Sequence, residues 1–288
     1  MCHLQRQVAL RELATSTSLA FSVFIPRSAF SMLFPISDDN RGISGPCYVT
    51  WTLLALNILV FGYQSSNPEF TYAWSTIPKE ITTGQDITEP VVIRSEGKDI
   101  EIPHVPGPPI IYLTLFSAMF MHGGIGHLLG NMLYLWIFGD NVEHRFGHLL
   151  FLVFYLVSGL VATFAQILIS PNSVIPNLGA SGAIFGVLGA YMVLFPRNKV
   201  NAVVIYVVVS LPAVAVIGLF AVMQFIQGYS TFFGANSQAG GVAYMAHIGG
   251  LIAGVAMGWF VRTMYVKEEP DSTLYRQYRD DPKTKQWW

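Results

Sequence analysis

The feature that most constrains this chain is a series of apolar runs, each about long enough to cross a hydrocarbon layer roughly 30 Å thick. Six of them lie near residues 48–64, 124–139, 148–169, 182–196, 200–227 and 242–265. In lipid every backbone N–H and C=O has to be paired inside the protein, and separate apolar runs of this length achieve that as helices. Composition agrees, since 52% of residues are hydrophobic and 11% are charged, against about 25% charged in an ordinary soluble domain. The expected fold class is therefore an all-α polytopic membrane protein with the lipid bilayer as its solvent. Pro212 falls inside the fifth run and is read as a kink within one helix, because neighbouring helices can satisfy the carbonyl that a proline frees.

Orientation follows from lysine and arginine in the short loops, which favour the cytoplasmic side. Arg41, Arg145, Arg197, Lys199, Arg262 and Lys267 all fall on one side if both termini are cytoplasmic, while loops 170–178 and 228–240 contain neither residue type. The loop from about 65 to 120 then lies outside. Within it, Val91–Arg94 and Asp99–Ile102 flank Ser95-Glu96-Gly97-Lys98 and read as a small β-hairpin. Pro103, Pro106, Pro108 and Pro109 lead stiffly back towards the membrane.

Residues 1–31, with Arg6, Arg11, Arg27 and a single acid, Glu12, resemble an organelle transit peptide in composition. They are taken as an extension outside the folded unit, with Met32 an alternative first residue. The folded domain is expected over 32–266, followed by a polar cytoplasmic tail over 267–288. A net charge of -1 provides no basic excess for binding nucleic acid. Cys2 and Cys47 are far apart and match no metal spacing, and His144 and His148, though four apart, read as a solvated loop pair.

Polar residues inside a membrane are costly, so each one raises a functional question. Three groups stand out: Gly179-Ala180-Ser181-Gly182 opening the fourth run, Ala246-His247-Ile248-Gly249-Gly250 early in the sixth, and His127 through Asn131 in the second. Singly, each has a plain explanation as a helix cap, a packing histidine or an interhelical amide. Depth links them. At 1.5 Å per residue, Ser181 lies about 24 Å from Arg197, His247 about 22 Å from Arg262, and His127 about 20 Å from Asp140. All three groups thus reach one level beneath the outer surface. Gly182 and Gly186, and Gly250, Gly254 and Gly258, are spaced by four and allow the fourth and sixth helices to touch beside Ser181 and His247.

No aspartate or glutamate occurs between Glu143 and Glu268, so helices three to six cannot supply a buried Ser-His-Asp triad. Paired intramembrane aspartates and an H-E-x-x-H zinc site are missing as well. A serine with a histidine base remains, and ring orientation is left to packing, with Phe185 one turn after Ser181 as its support. His127 and Asn131 share a helix face. Together with the Ser181 backbone N–H, and donors in the Gly179 region, they are candidates to stabilise an oxyanion.

Taken together, Met121-His122 through Asn131, Gly139-Asp140-Asn141-Val142-Glu143-His144-Arg145-Phe146-Gly147, Gly179-Ala180-Ser181-Gly182 and Ala246–Gly250 resemble the rhomboid intramembrane serine proteases. The resemblance implies a six-transmembrane-helix bundle that cleaves single-span or multi-span membrane protein substrates without a cofactor. Ser181 would be nucleophile, His247 base, and His127 and Asn131 oxyanion donors, with Gly182, Gly250 and Phe185 in support. It further implies an outer loop partly in the lipid, and a mobile fifth helix and cap over about 228–245. Glu143, Arg145 and Gly147 match a structural motif at the cytoplasmic turn. Phe185 stands where some relatives have tyrosine, which retains stacking on His247 and removes a hydroxyl; the outer loop exceeds a minimal member's. The expected location is a bacterial plasma membrane, ahead of an organelle membrane. Other classes weighed are a non-catalytic relative that binds membrane clients, which would be expected to lack the serine or histidine, and a small transporter, for which no internal repeat is found.

Overall fold

The computed structural model describes residues 34–40, 45–95, 98–204, 206–233 and 243–265. The expected extension over 1–31, the tail over 267–288 and residues 234–242 of the cap over 228–245 fall outside them. Helices dominate. Six long ones occupy the places of the six apolar runs: α1 Tyr48–Ser66, α2 Ile125–Phe146, α3 His148–Ile169, α4 Ser181–Leu194, α5 Ala213–Phe233 and α6 Tyr244–Tyr265. Two of them, α3 and α6, are by themselves long and apolar enough to cross a membrane, whereas α4 and the described part of α5 are shorter.

The 14 residues of α4 span only about 21 Å at the helical rise. Its length need not match a bilayer, because Gly182 through Tyr191 are buried without interruption and the helix meets protein on every side. Outward faces of the surrounding helices are apolar instead. Leu149 and Leu168 of α3 are 77% and 79% exposed, and Leu59, Trp136, Ile226 and Trp259 are exposed on α1, α2, α5 and α6. Apolar surface this extensive on several helices suits lipid, not water.

Small residues bring α4 and α6 together. A Cβ placed on Gly250 would collide with the Gly182 carbonyl, and one on Gly254 with the Gly186 carbonyl. On the other side of α4, Ser158 and Ala162 of α3 approach Gly186 and Gly182 closely enough to exclude a methyl group there. With no hydrophobic drive between helices in lipid, such close approach lets dispersion hold them. The expected touching of the two glycine faces is observed.

Two parts of the expected fold are corrected. The chain is mostly helical but not all-α, and the fifth run is not one helix kinked at Pro212. Residues 199–212 form an antiparallel hairpin of β4 (Lys199–Val204) and β5 (Val207–Pro212), turning at Tyr206 with φ of 82°, and only then does α5 begin. The physical reason lies in side-chain type. Val200, Val203, Val204, Val207, Val208 and Val209 are β-branched and favour extended backbone, and Pro212 disfavours a helical conformation in the residue before it. Strand β1 (Phe34–Asp38) pairs with the free edge of β4, completing a three-stranded sheet ordered β1-β4-β5.

In the long loop between α1 and α2, short helices Pro68–Trp74 and Pro78–Thr83 precede the expected hairpin, which pairs β2 (Val91–Ser95) with β3 (Lys98–Ile102). This loop is tied to the α3–α4 connection by a reciprocal backbone pair, Thr76 N–H to Asn177 O at 3.0 Å and Asn177 N–H to Thr76 O at 2.8 Å. His104 bridges the same two segments, one ring nitrogen 2.9 Å from the Ile102 carbonyl and the other 2.8 Å from that of Val174.

Two carboxylates, Glu143 buried and Asp38 half-buried, organise the end of the bundle away from Ser181. Helix α1 has no side-chain cap of its own; Glu143 of α2 accepts from Val49 N at 2.9 Å, Thr50 N at 2.7 Å and Thr50 Oγ1 at 2.6 Å, filling the role of a cap. The His148 ring lies 2.6 Å from the same carboxylate. On β1, Asp38 accepts from Asn141 Nδ2 and from the Tyr191 hydroxyl, both at 2.7 Å, joining the sheet to α2 and α4.

Burial pushes the Asp38 carboxyl up to about 7, opposed by the Tyr191 hydroxyl and assisted by the nearby charge of Asp140. The folded chain thus holds this proton more tightly than the unfolded chain, where a carboxyl titrates near about 4. The associated stability is complete below about pH 4 and is lost as pH rises through about 7. Thermal unfolding in detergent is expected to show a Tm that falls between about pH 5 and 8, and Asp38→Asn is expected to flatten that slope.

Candidate active site

Ser181 is the first residue of α4, and the opening N–H groups of a helix have no partner within it. Gly179, two residues earlier, holds a φ of 137°, a conformation that L side chains rarely adopt. This glycine also makes space: a methyl group there would come within 3.1 Å of His127 Nε2 and 3.6 Å of Ser181 Oγ. Its own N–H donates to the Ala118 carbonyl at 2.8 Å. Gly179 therefore contributes room and backbone shape; that N–H is already engaged.

From α6, His247 reaches across the glycine contact. Its Nε2 lies 2.8 Å from Ser181 Oγ, and its ring stacks on Phe185 with centroids 4.3 Å apart and planes 10° from parallel. The stack continues through Phe220 of α5, 5.2 Å from Phe185, to Tyr134 of α2, 5.3 Å further. The ring support expected of Phe185 is present without a hydroxyl.

One partner was not foreseen. His247 Nδ1 lies 2.8 Å from Gln224 Oε1 on α5, so the ring is held by a hydrogen bond as well as by packing. An amide oxygen only accepts, which places the proton of a neutral ring on Nδ1 and leaves Nε2 free to accept from the Ser181 hydroxyl. The signal for Gln224 was its polarity in an apolar run, a pattern that raises a functional question by default. Its relation to His247 required the fold.

On α2, Gly123 N–H donates to His127 Nδ1 at 3.4 Å, so the proton of a neutral His127 ring is on Nε2, the atom facing Gly179. Asn131, one turn on, is buried and its Nδ2 has no hydrogen-bond partner. A buried amide left unpaired is costly, and it offers a donor to whatever occupies the site. Access is asymmetric, because His127 is exposed and Ser181 half-buried while His247 is buried. Beside Ser181 lies a cavity of about 40 Å³ with a mostly small and apolar lining, to which Thr76, Thr163, Gln166 and Asn177 add polar groups, enough room for water.

Chemically, the arrangement can ionise a serine as it attacks. The hydroxyl proton can pass to Nε2, and the His127 ring beside Gly179 and the unpaired N–H groups at the start of α4 are donors near Ser181. Among the described residues no group of three or more His, Cys, Asp or Glu side chains could hold a metal ion.

Comparison with known protein families covers the part of the bundle from the end of the outer loop through α6, leaving α1 outside the match. The Rhomboid domain matches residues 111–264. The mitochondrial Rhomboid protein 1 of Saccharomyces cerevisiae is 31% identical over 160 residues, 54% of this chain and 44% of that protein. The Rhomboid protease GluP of Bacillus subtilis is 33% identical over 143 residues, 48% of this chain and 27% of that protein. RHOMBOID-like protein 2 of Arabidopsis thaliana is 35% identical over 167 residues, 57% and 48% of the two chains. The chain thus spans less than half the length of each of these relatives.

A fluorophosphonate probe is expected to modify Ser181 in the detergent-purified protein. His247→Ala should slow labelling by about a hundredfold or more, the scale of a lost general base; mass spectrometry of the modified peptide and the labelling rate check this.

Proposed function

The chain belongs to the rhomboid family, and from that premise we propose that it is an intramembrane serine endopeptidase with Ser181 as nucleophile and His247 as general base. The observation that carries this reading is the 2.8 Å approach of Ser181 Oγ to His247 Nε2, between two helices locked backbone to backbone. In the proposed reaction Ser181 Oγ attacks the scissile carbonyl as its proton moves to Nε2. The same proton then passes to the leaving amine, giving an acyl-enzyme, and water repeats the sequence to release the acid. Asn131 Nδ2, His127 Nε2 and the Ser181 N–H stabilise the tetrahedral oxyanion, which gives the unpartnered Asn131 amide a role. The cavity beside Ser181, into which Thr163, Gln166 and Asn177 contribute, is a reservoir for the hydrolytic water.

Membership of the family makes this a membrane protein, with membrane proteins as its general class of substrate. We take the six helices as six spans with both chain ends in the cytoplasm and the Ser181 level near the opposite face. Arg145, Arg197, Lys199 and Arg262 at the end of the bundle remote from Ser181 support that orientation. The exposed Ile110, Tyr112, Leu113 and Phe116 of the outer loop favour its partial immersion in lipid. The substrate is then a transmembrane segment entering from the bilayer, cut near its outer end.

Reconstituted with a single-span substrate carrying small, helix-destabilising residues near its outer end, the purified protein is expected to cleave without added metal or ATP. Ser181→Ala and His247→Ala should each abolish cleavage, and undiminished cleavage in either variant would overturn the mechanism. Asn131→Ala is expected to lower kcat by about a hundredfold, the usual cost of one oxyanion donor, while Tm changes little; a loss of Tm that matches the loss of activity would make Asn131 a packing residue instead.

A further inference from the structure

We propose that Gln224 is a positioning residue of the Ser181–His247 pair, and that through it the seating of α5 decides whether His247 is set to act as a base. The inference deepens the protease reading and rests on it. A neutral imidazole has two tautomers, and only the one protonated at Nδ1 presents a bare Nε2 to Ser181. Serine hydrolases with a triad enforce that tautomer with a carboxylate on Nδ1. Here Nδ1 meets the Gln224 amide oxygen at 2.8 Å, and the chain from Thr114 to Tyr265 that builds the helices around the site has its last acid at Glu143, at the far end of α2.

Proton bookkeeping is consistent with a neutral acceptor. When Ser181 Oγ forms its bond to the carbonyl carbon, its proton goes to Nε2 and the ring becomes imidazolium. The Nδ1 proton stays where it is, still donated to Gln224, and the Nε2 proton leaves with the amine. Gln224 neither gains nor loses a proton at any step. It selects the tautomer and holds the ring's angle to Oγ.

What makes this more than ring support is the element that carries the amide. Helices α4 and α6, which hold Ser181 and His247, touch through glycine backbone and have no slack. Among the described residues, helix α5 reaches the site through side chains, the Gln224 bond and the Phe220 stack on Phe185, while its other face, with Leu219, Val222, Phe225 and Ile226, is exposed. A shift of α5 by one hydrogen-bond length leaves Ser181 and His247 in place and removes the acceptor from Nδ1. The base then loses its preferred tautomer before the dyad loses its geometry.

Gln224→Met keeps the length of the side chain and removes the acceptor; Gln224→Glu keeps both. In the reconstituted cleavage assay, Gln224→Met is expected to lower kcat about tenfold, the scale of one hydrogen bond converted to a rate, with KM within about twofold. Gln224→Glu is expected to recover most of the lost kcat. Nitrogen-15 NMR of His247 should show the proton on Nδ1 in the unsubstituted protein and in Gln224→Glu, and a mixture of tautomers in Gln224→Met. The proposal is overturned if Gln224→Met retains full kcat, if its defect lies in KM, or if Gln224→Glu is as slow as Gln224→Met. If the unsubstituted protein cleaves nothing, the protease reading fails by itself. Fluorophosphonate labelling of Ser181 and the NMR signals then decide the role of Gln224, and equal labelling rates with unchanged tautomers in all three proteins overturn it.

Discussion

Everything at the site depends on the backbone contact between α4 and α6. Ser181 and His247 are 66 positions apart, and a 2.8 Å hydrogen bond between them requires helix axes much closer than ordinary side chains permit. Gly182, Gly186, Gly250 and Gly254 remove the side chains at the crossing, so that carbonyl oxygens of one helix occupy the space a Cβ would fill on the other. In a bilayer, where lipid tails compete equally well for apolar side chains, this close dispersion contact is the available glue. The same contact fixes Ser181 and His247 relative to one another, since neither helix can rotate without a carbonyl clash.

A second layer of order comes from polar groups buried away from the site. Glu143 caps α1 across the bundle, and Asp38 ties the three-stranded sheet to α2 and α4. These contacts set how far α1 and α2 travel along each other and where the lower end of α4 stops. Arg262 adds to this by donating to the Val193 carbonyl at the end of α4, at 3.1 Å. A helix of only 14 residues therefore holds Ser181 at a defined height, tied towards its other end by the Tyr191–Asp38 and Arg262–Val193 hydrogen bonds.

Helix α5 contrasts with this rigid pair. Its approach to the site is aromatic and amide-based, the Tyr134, Phe220 and Phe185 rings in sequence and Gln224 on His247. Rings slide at little cost compared with interlocked backbone. The preceding hairpin of β4 and β5 leads directly into α5 and ties its other end to the sheet.

Much of this was legible in the residues alone. The apolar runs placed four of six helices to within a few residues at both ends; α2 runs on past its expected end to Phe146, where Gly147 N–H bonds the Glu143 carbonyl, and α5 begins only after the hairpin. Ser181, His247 and His127 stood out by polarity at a common depth and Asn131 by sharing a helix face with His127, and the glycine spacing foretold the contact that joins the helices of Ser181 and His247. What the pattern could not separate was a valine-rich strand pair from an apolar helix, since a continuous apolar run has no periodicity to distinguish them; β1, far away in sequence, supplied the pairing partner that decided it. Nor could any local pattern attach Gln224 to His247, or Glu143 to the start of α1. One sequence sets which residues are costly to leave in lipid, and only the packed tertiary structure decides which of them meet, because hydrogen bonds between helices depend on axial height and rotation that no single segment contains.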